Sequence, residues 1–224
     1  MRLLILVFCS FVFLYSEVLL KEDFNTLANW EPLTFKKIKK HSTYKIKDST
    51  LVAKSDDSAS GIKFKKQYNI YDYPVLSFKW KINNIYKKGD ATKKTGDDYP
   101  IRIYVMFKYD PKKASFFESI KYSTAKTLYG AYPPHSTINY IWSNKTHKNR
   151  IVASPYTDRA KMIAVNSGKK NINIWQTHRL NVLEDYKKAF GKNPPDTVSI
   201  AIMTDSDNTH ETSVSFVDFI EISN

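Results

Sequence analysis

The chain has 224 residues, 42% of them hydrophobic and 25% charged, which suffices for one sizeable core and excludes both a disordered tail and a multi-span membrane protein. Its formal charge of +13 favours anionic partners such as lipid headgroups, acidic glycans or nucleic acid. The lysines are scattered among loop-like stretches (KKIKK, YKKGD, TKK, SGKK). No RNA-binding aromatic motif, zinc finger or long basic helix accompanies them, so nucleic acid is set aside.

Residues 1–16, MRLLILVFCSFVFLYS, carry one positive charge at Arg2 and then an apolar run to Tyr15, interrupted by Ser10 alone. That is the layout of a secretory signal peptide, and the run is too short to span a bilayer comfortably. It predicts a protein exported to the periplasm, with a single domain over 17–224 and no transmembrane segment after cleavage. Bulky Phe8 before Cys9, and the apolar run beyond it, count against a lipoprotein site. Cys9 is the only cysteine, so the mature chain has no thiol for a disulfide or a metal site. Cleavage leaves 34 basic against 22 acidic residues, or +12.

Beyond the leader, short alternating runs are separated by turn residues. STYKIKDSTLVAKS reads as a hairpin around Lys47-Asp48, and SGIKFKKQYNI places Ile62 and Phe64 on one face. In PVLSFKWKINNI, Leu76, Phe78, Trp80 and Ile82 point one way while Ser77, Lys79 and Lys81 point the other. YPIRIYVMFKY gives Ile101, Ile103, Val105 and Phe107 an apolar face and leaves Arg102, Tyr104 and Met106 opposite.

From Ala114 to Tyr129 the period changes. Phe117, Ile120, Tyr122, Ala125 and Leu128 approximate helical spacing, which predicts a helix over 114–129. STINYIWSN returns to alternation, with Ile138, Tyr140, Trp142 and Asn144 on one face. KMIAVNSG, IWQTHRLNVL, a short helix at 184–190, DTVSIAIM and SVSFVDFIEIS complete the chain. Nine or ten strands without a βαβ rhythm predict an all-β protein, a two-sheet antiparallel jelly-roll sandwich with one inserted helix.

Polar residues gather where these strands end. GDDYPIRIYV supplies Asp97, Asp98, Arg102 and Tyr104, and NYIWSN supplies Tyr140, Trp142 and Asn144. SPYT supplies Tyr156 and Thr157, and MTDSDNT supplies Asp205, Asp207, Asn208 and Thr209. Carboxylates and amides exchange hydrogen bonds with hydroxyls, arginine holds an anion in a fork, and tyrosine or tryptophan rings stack on flat sugar faces. The competing expectation is that the acids and amides serve turns, with Arg102 paired to one carboxylate as a structural brace.

Taken in order, KTGDDYPIRIYVMF, INYIWSN, SPYT and AIMTDSDNT closely resemble a family of bacterial exported proteins grouped as domain of unknown function 3047. The resemblance runs from DFNTLANWEPLTF to the closing VSFVDFIEIS, and the family more often has Val or Leu near Ile141. It implies the fold and the site, not a reaction. A weaker resemblance is to jelly-roll carbohydrate-binding modules, whose opening is matched by Phe24, Asn25 and Trp30 and whose close is matched by Asp218. That resemblance implies a structural Ca²⁺ held by oxygen ligands from both chain ends, though Asn25 stands where an acid is usual.

Other chemistries lack their signatures. Counted from Asp205, an EF-hand needs Gly at its sixth position and Glu at its twelfth, where His210 and Phe216 stand. The five histidines lack zinc-ligand spacing, and no GxSxG elbow, Walker loop or Rossmann fingerprint occurs. The sequence therefore points to a non-catalytic module binding a glycan, another polar ligand or an anionic envelope component. Its alternatives are a glycan-cleaving enzyme using an aspartate pair, and a structural envelope protein braced by the polar cluster.

Overall fold

A computed structural model describes residues 17–129 and 132–224; the expected leader lies outside the described residues. Strands β1 (Val18–Glu22), β2 (Trp30–Leu33), β3 (Thr43–Lys47), β4 (Thr50–Asp56), β5 (Ala59–Phe64), β6 (Tyr68–Asn69), β7 (Val75–Ile82) and β8 (Arg102–Phe107) come first. Helix α1 (Phe116–Tyr129) follows, then β9 (Ser136–Ser143), β10 (Ile151–Ala153), β11 (Ala160–Ser167) and β12 (Gln176–Asn181). Helix α2 (Val182–Phe190), β13 (Thr197–Asp205) and β14 (Thr212–Ser223) end the chain. Strands outnumber the nine or ten expected because β1 was not anticipated and β2, β6 and β10 hold only four, two and three residues, too few to show a period.

The strands form two sheets of a jelly-roll sandwich. The smaller runs β12-β7-β14-β4-β3 with β1 on β14, and the larger runs β10-β11-β9-β8-β13-β5-β2 with β6 on β13. One pairing departs from the antiparallel expectation: β9 and β11 run parallel. The chain leaves β9, descends along the edge as β10 and returns as β11 between them, so β11 shares the direction of β9.

Alternation explains the core. Leu76, Phe78, Trp80 and Ile82 of β7 meet Ile103, Val105 and Phe107 of β8, Tyr140 and Trp142 of β9, and Ile200 and Ile202 of β13, all without exposure. Each such side chain contributes about 1.5–3 kcal/mol by leaving water. Turn chemistry agrees with the pattern. The β3–β4 hairpin turns through Asp48 and Ser49, both at positive φ (50° and 51°), the two-residue geometry that suits strand twist.

Both helices are capped locally. Ser115 and Glu118 bracket the start of α1: the Glu118 N–H donates to Ser115 Oγ at 3.3 Å, and the Ser115 N–H donates back to Glu118 Oε2 at 3.4 Å, a capping box. For α2, Asn181 Oδ1 accepts the Glu184 N–H, and Gly191 at φ 69° closes the end. The expected apolar face of α1 is only partly used. Tyr122 is buried, Ala125 is partly covered, and Phe117 and Ile120 face solvent; the Leu128 side chain lies outside the described residues.

Candidate functional site

Because Ile103 and Val105 of β8 face the core, Arg102 and Tyr104 must point from the outer face of the larger sheet. Register then sets their neighbours. Arg102 lies opposite Met203 and Tyr104 opposite Ala201 on β13, while Asp205 lies opposite Ala59 on β5. These strands floor an open cleft of about 640 Å³. Its walls come from residues 34–38 after β2, Asp97 before β8, Tyr156 between β10 and β11, and Asp207 and Asn208 after β13.

At the floor, Arg102 Nη2 donates to Asp205 Oδ2 at 2.5 Å, and the side chains are 6% and 2% exposed. Asp205 Oδ1 also accepts the Tyr99 N–H at 3.3 Å. The rings of Tyr99 and Tyr104 flank the guanidinium, each with its centroid 5.0 Å away. Burial opposes the Arg102 charge, but Asp205, with Tyr104, Asp97 and Tyr99 adding to it, holds the guanidinium ionised. Burial pushes the Asp205 carboxyl up, against the pull of that guanidinium. Arg102 Nε makes no hydrogen bond.

Asp98, fully buried, holds the loop after β13 in place. Its Oδ2 accepts the Asn208 and Thr209 backbone N–H groups at 3.0 and 2.6 Å, and its Oδ1 accepts Asn208 Nδ2 at 2.9 Å. Its carbonyl accepts Asn144 Nδ2 at 2.6 Å, while Asn144 Oδ1 accepts the Tyr86 N–H at 2.8 Å. This chain of bonds explains Gly89, where an added Cβ would lie 2.1 Å from Asn144 Nδ2. Thr209, also buried, joins the same knot, its hydroxyl 3.5 Å from the Ser206 carbonyl.

The side chains that face the cleft form a second group. The Tyr156 ring is 54% exposed, and its hydroxyl lies 3.0 Å from the Lys94 carbonyl and 3.3 Å from Asn208 Oδ1. Tyr104 is half-buried beside it on the floor. Asp97 Oδ1 accepts the Tyr99 hydroxyl at 2.8 Å, and burial raises its carboxyl above the usual carboxylate value. Asp207 is half-buried, and burial raises it too, with help from neighbouring Asp98.

Three residues expected at the site lie elsewhere. Tyr140 and Trp142 share the inward face of β9 with Ile138 and are wholly buried, so neither ring is available to stack on a ligand. Tyr140 donates to Asp185 and Trp142 to the Gly168 carbonyl. Thr157 stands outside the cleft, its Oγ1 accepting the Arg159 N–H. The structure in turn adds Phe35, Lys36, Lys37 and Met203 to the lining. For the first three, an aromatic among the lysines of TFKKIKK was the one visible signal.

The carboxylates do not fit a cation. Oxygens of Asp98, Asp205 and Asp207 lie within 4.8 Å of one another, but Asp98 is saturated by N–H donors and Asp205 is held by Arg102. The Ca²⁺ implied by the carbohydrate-binding modules meets similar obstacles. Asn25 Oδ1 accepts the Ser49 hydroxyl at 2.8 Å, and Asp218 pairs with Lys79 at 3.0 Å. Glu22, the buried acid just before Asn25 in sequence, takes the Phe24 N–H and Trp30 Nε1–H.

Solved structures resemble the chain in fold at low identity. The family 11 carbohydrate-binding module of the Clostridium thermocellum cellulosomal cellulase Lic26A-Cel5E is 11% identical, with a TM-score of 0.44 over 93% of this chain and 94% of that one. A Bauhinia forficata lectin in complex with GalNAc is 9% identical, with a TM-score of 0.46 over 94% and 99%. Endoglucanase 3 of Trichoderma harzianum, from family GH12, is 6% identical, with a TM-score of 0.44 over 82% and 83%. No curated protein matches the chain. Residues 28–221 match the family model described as "Protein of unknown function (DUF3047)", and the chain belongs to that family.

Proposed function

We propose that the protein binds a glycan in the cleft on the outer face of its larger sheet, without cleaving it. The observation that carries this reading is the convergence of aromatic rings and polar side chains on one open groove. Tyr156, Phe35 and Tyr104 offer flat apolar surface, while Asp97, Asp207 and Asn208 offer acceptors and donors for hydroxyls. The buried pairs beneath them, Arg102 with Asp205 and Asp98 with the 208–209 amides, hold that surface rigid.

A glycan-cleaving reading rests on a narrower base. It needs two carboxyls that reach substrate, and the raised pKa of Asp97 and of Asp207 marks these two as the pair it would use. Asp98 and Asp205 are committed to their protein partners. The apolar run 3–15 supports export to the periplasm, where envelope polysaccharides are ligands of the right class.

The test is a panel of envelope and storage polysaccharides assayed for binding and for release of reducing ends. The proposal expects binding to at least one, weakened several-fold or more in Tyr156→Ala, with no product. Reducing ends released by the wild type and lost in both Asp97→Asn and Asp207→Asn would establish the enzyme instead. No binding to any member would refute the proposal.

A further inference from the structure

Helix α1 meets the body through Tyr122, whose ring stacks on Tyr109 with centroids 3.6 Å apart and whose hydroxyl bonds the Pro134 carbonyl and Arg159. At 3.6 residues per turn, Phe116, Phe117 and Ile120 fall on the side of the helix away from Tyr122. They are 73%, 82% and 51% exposed, and Phe117 and Phe116 are the most exposed large apolar side chains among the described residues. A patch of this kind marks an interaction surface.

Charge around the patch narrows the partner. Lys112 and Lys113 precede the helix, and Lys121 lies one turn beyond Phe117; all three are exposed. Lys113 also reaches Asp196 at 3.0 Å. The one acid of the helix, Glu118, is engaged by Arg159 at 3.4 Å. Pairing with a second copy would set these lysines against their own counterparts in a chain of net charge +13, so the complementary surface is apolar beneath and anionic above. A bilayer with anionic headgroups has that layering.

We infer that the first half of α1 docks on anionic membranes, with Phe116, Phe117 and Ile120 entering the headgroup–acyl boundary and Lys112, Lys113 and Lys121 meeting the headgroups. Rings at that depth contribute by apolar burial, and each lysine close to the surface contributes about five-fold in partitioning. The body can stay rigid, because the patch is already exposed.

The experiment is co-sedimentation of the full chain with vesicles of phosphatidylcholine alone and of phosphatidylcholine with one-fifth phosphatidylglycerol. Phe116→Ser/Phe117→Ser and Lys112→Glu/Lys121→Glu variants run in parallel. Both pairs are exposed, both variants keep residues 1–16, and circular dichroism confirms their folding. Partitioning to the anionic vesicles should fall at least ten-fold in each variant, and the wild type should favour anionic over neutral vesicles. Equal binding by wild type and variants, or equal binding to both vesicle types, would overturn the inference. So would a dimer of the wild type that is lost in Phe116→Ser/Phe117→Ser while no vesicle binding occurs.

Discussion

Arg102 and Asp205 sit on adjacent strands two residues out of direct register and join Nη2 to Oδ2 at 2.5 Å, almost wholly withdrawn from water. A pair this buried owes its value to the presence of both members. Asp205→Ala is expected to cost about 3–5 kcal/mol by stranding the guanidinium, and Arg102→Met a similar amount. Arg102→Met/Asp205→Leu should recover most of that loss, as urea denaturation of the four proteins will show. A double variant no more stable than the singles would refute this account of the floor.

Asp98 braces the loop by a different route, accepting two backbone N–H groups and one amide. Asp98→Ala leaves those donors without a partner and is expected to cost about 3 kcal/mol. Hydrogen exchange at the Asn208 and Thr209 amides should accelerate in this variant far more than at the core amides of β7. Uniform acceleration across the molecule would contradict a local brace.

Above pH 4, stability should rise as the pH falls. Asp97 and Asp207 have folded pKa values above the ordinary carboxylate value of 3.8. Their contribution is complete below that value and is lost as the pH rises through the raised ones. Near and below pH 4 the trend reverses, because Asp90 and Asp196 are held low by Thr92 and by Lys113 and lose that contribution on protonation. Melting temperatures from pH 3 to 8 test this, and Asp207→Asn should flatten the slope above pH 4.

Gly89 is fixed by the side chain it faces. Its Cβ position lies 2.1 Å from Asn144 Nδ2, and Asn144 is tied at both ends, to Asp98 and Tyr86. Gly89→Ala should therefore cost about 2 kcal/mol by overpacking, and Gly89→Ala/Asn144→Ala less than the sum of the singles. Strict additivity would show that Asn144 can move aside.

Much of this was legible in strand alternation. The inward sets of β7 and β8 read directly from the sequence, and the same parity turned Arg102 and Tyr104 outward toward a shared cleft. That rule also spoke against Tyr140 and Trp142, which share parity with Ile138. Their polar atoms suggested a site, but the core satisfies those atoms with Asp185 and Gly168. Phe35, Lys36 and Lys37 could not be placed, because the β2–β3 connection reaches the cleft only through the pairing of β2 with β5. The period of α1 was visible, but which side it buries depends on Tyr109, in the β8–α1 connection outside the helix.

The most direct test of glycan binding in the cleft is the change in backbone amide NMR shifts on adding the polysaccharide that binds in the panel. The account predicts perturbations at Lys36, Lys37, Tyr104, Met203, Tyr156 and Asn208. Perturbations confined to the opposite sheet, around Trp175 with Lys79 and Lys81 above its ring, would contradict it.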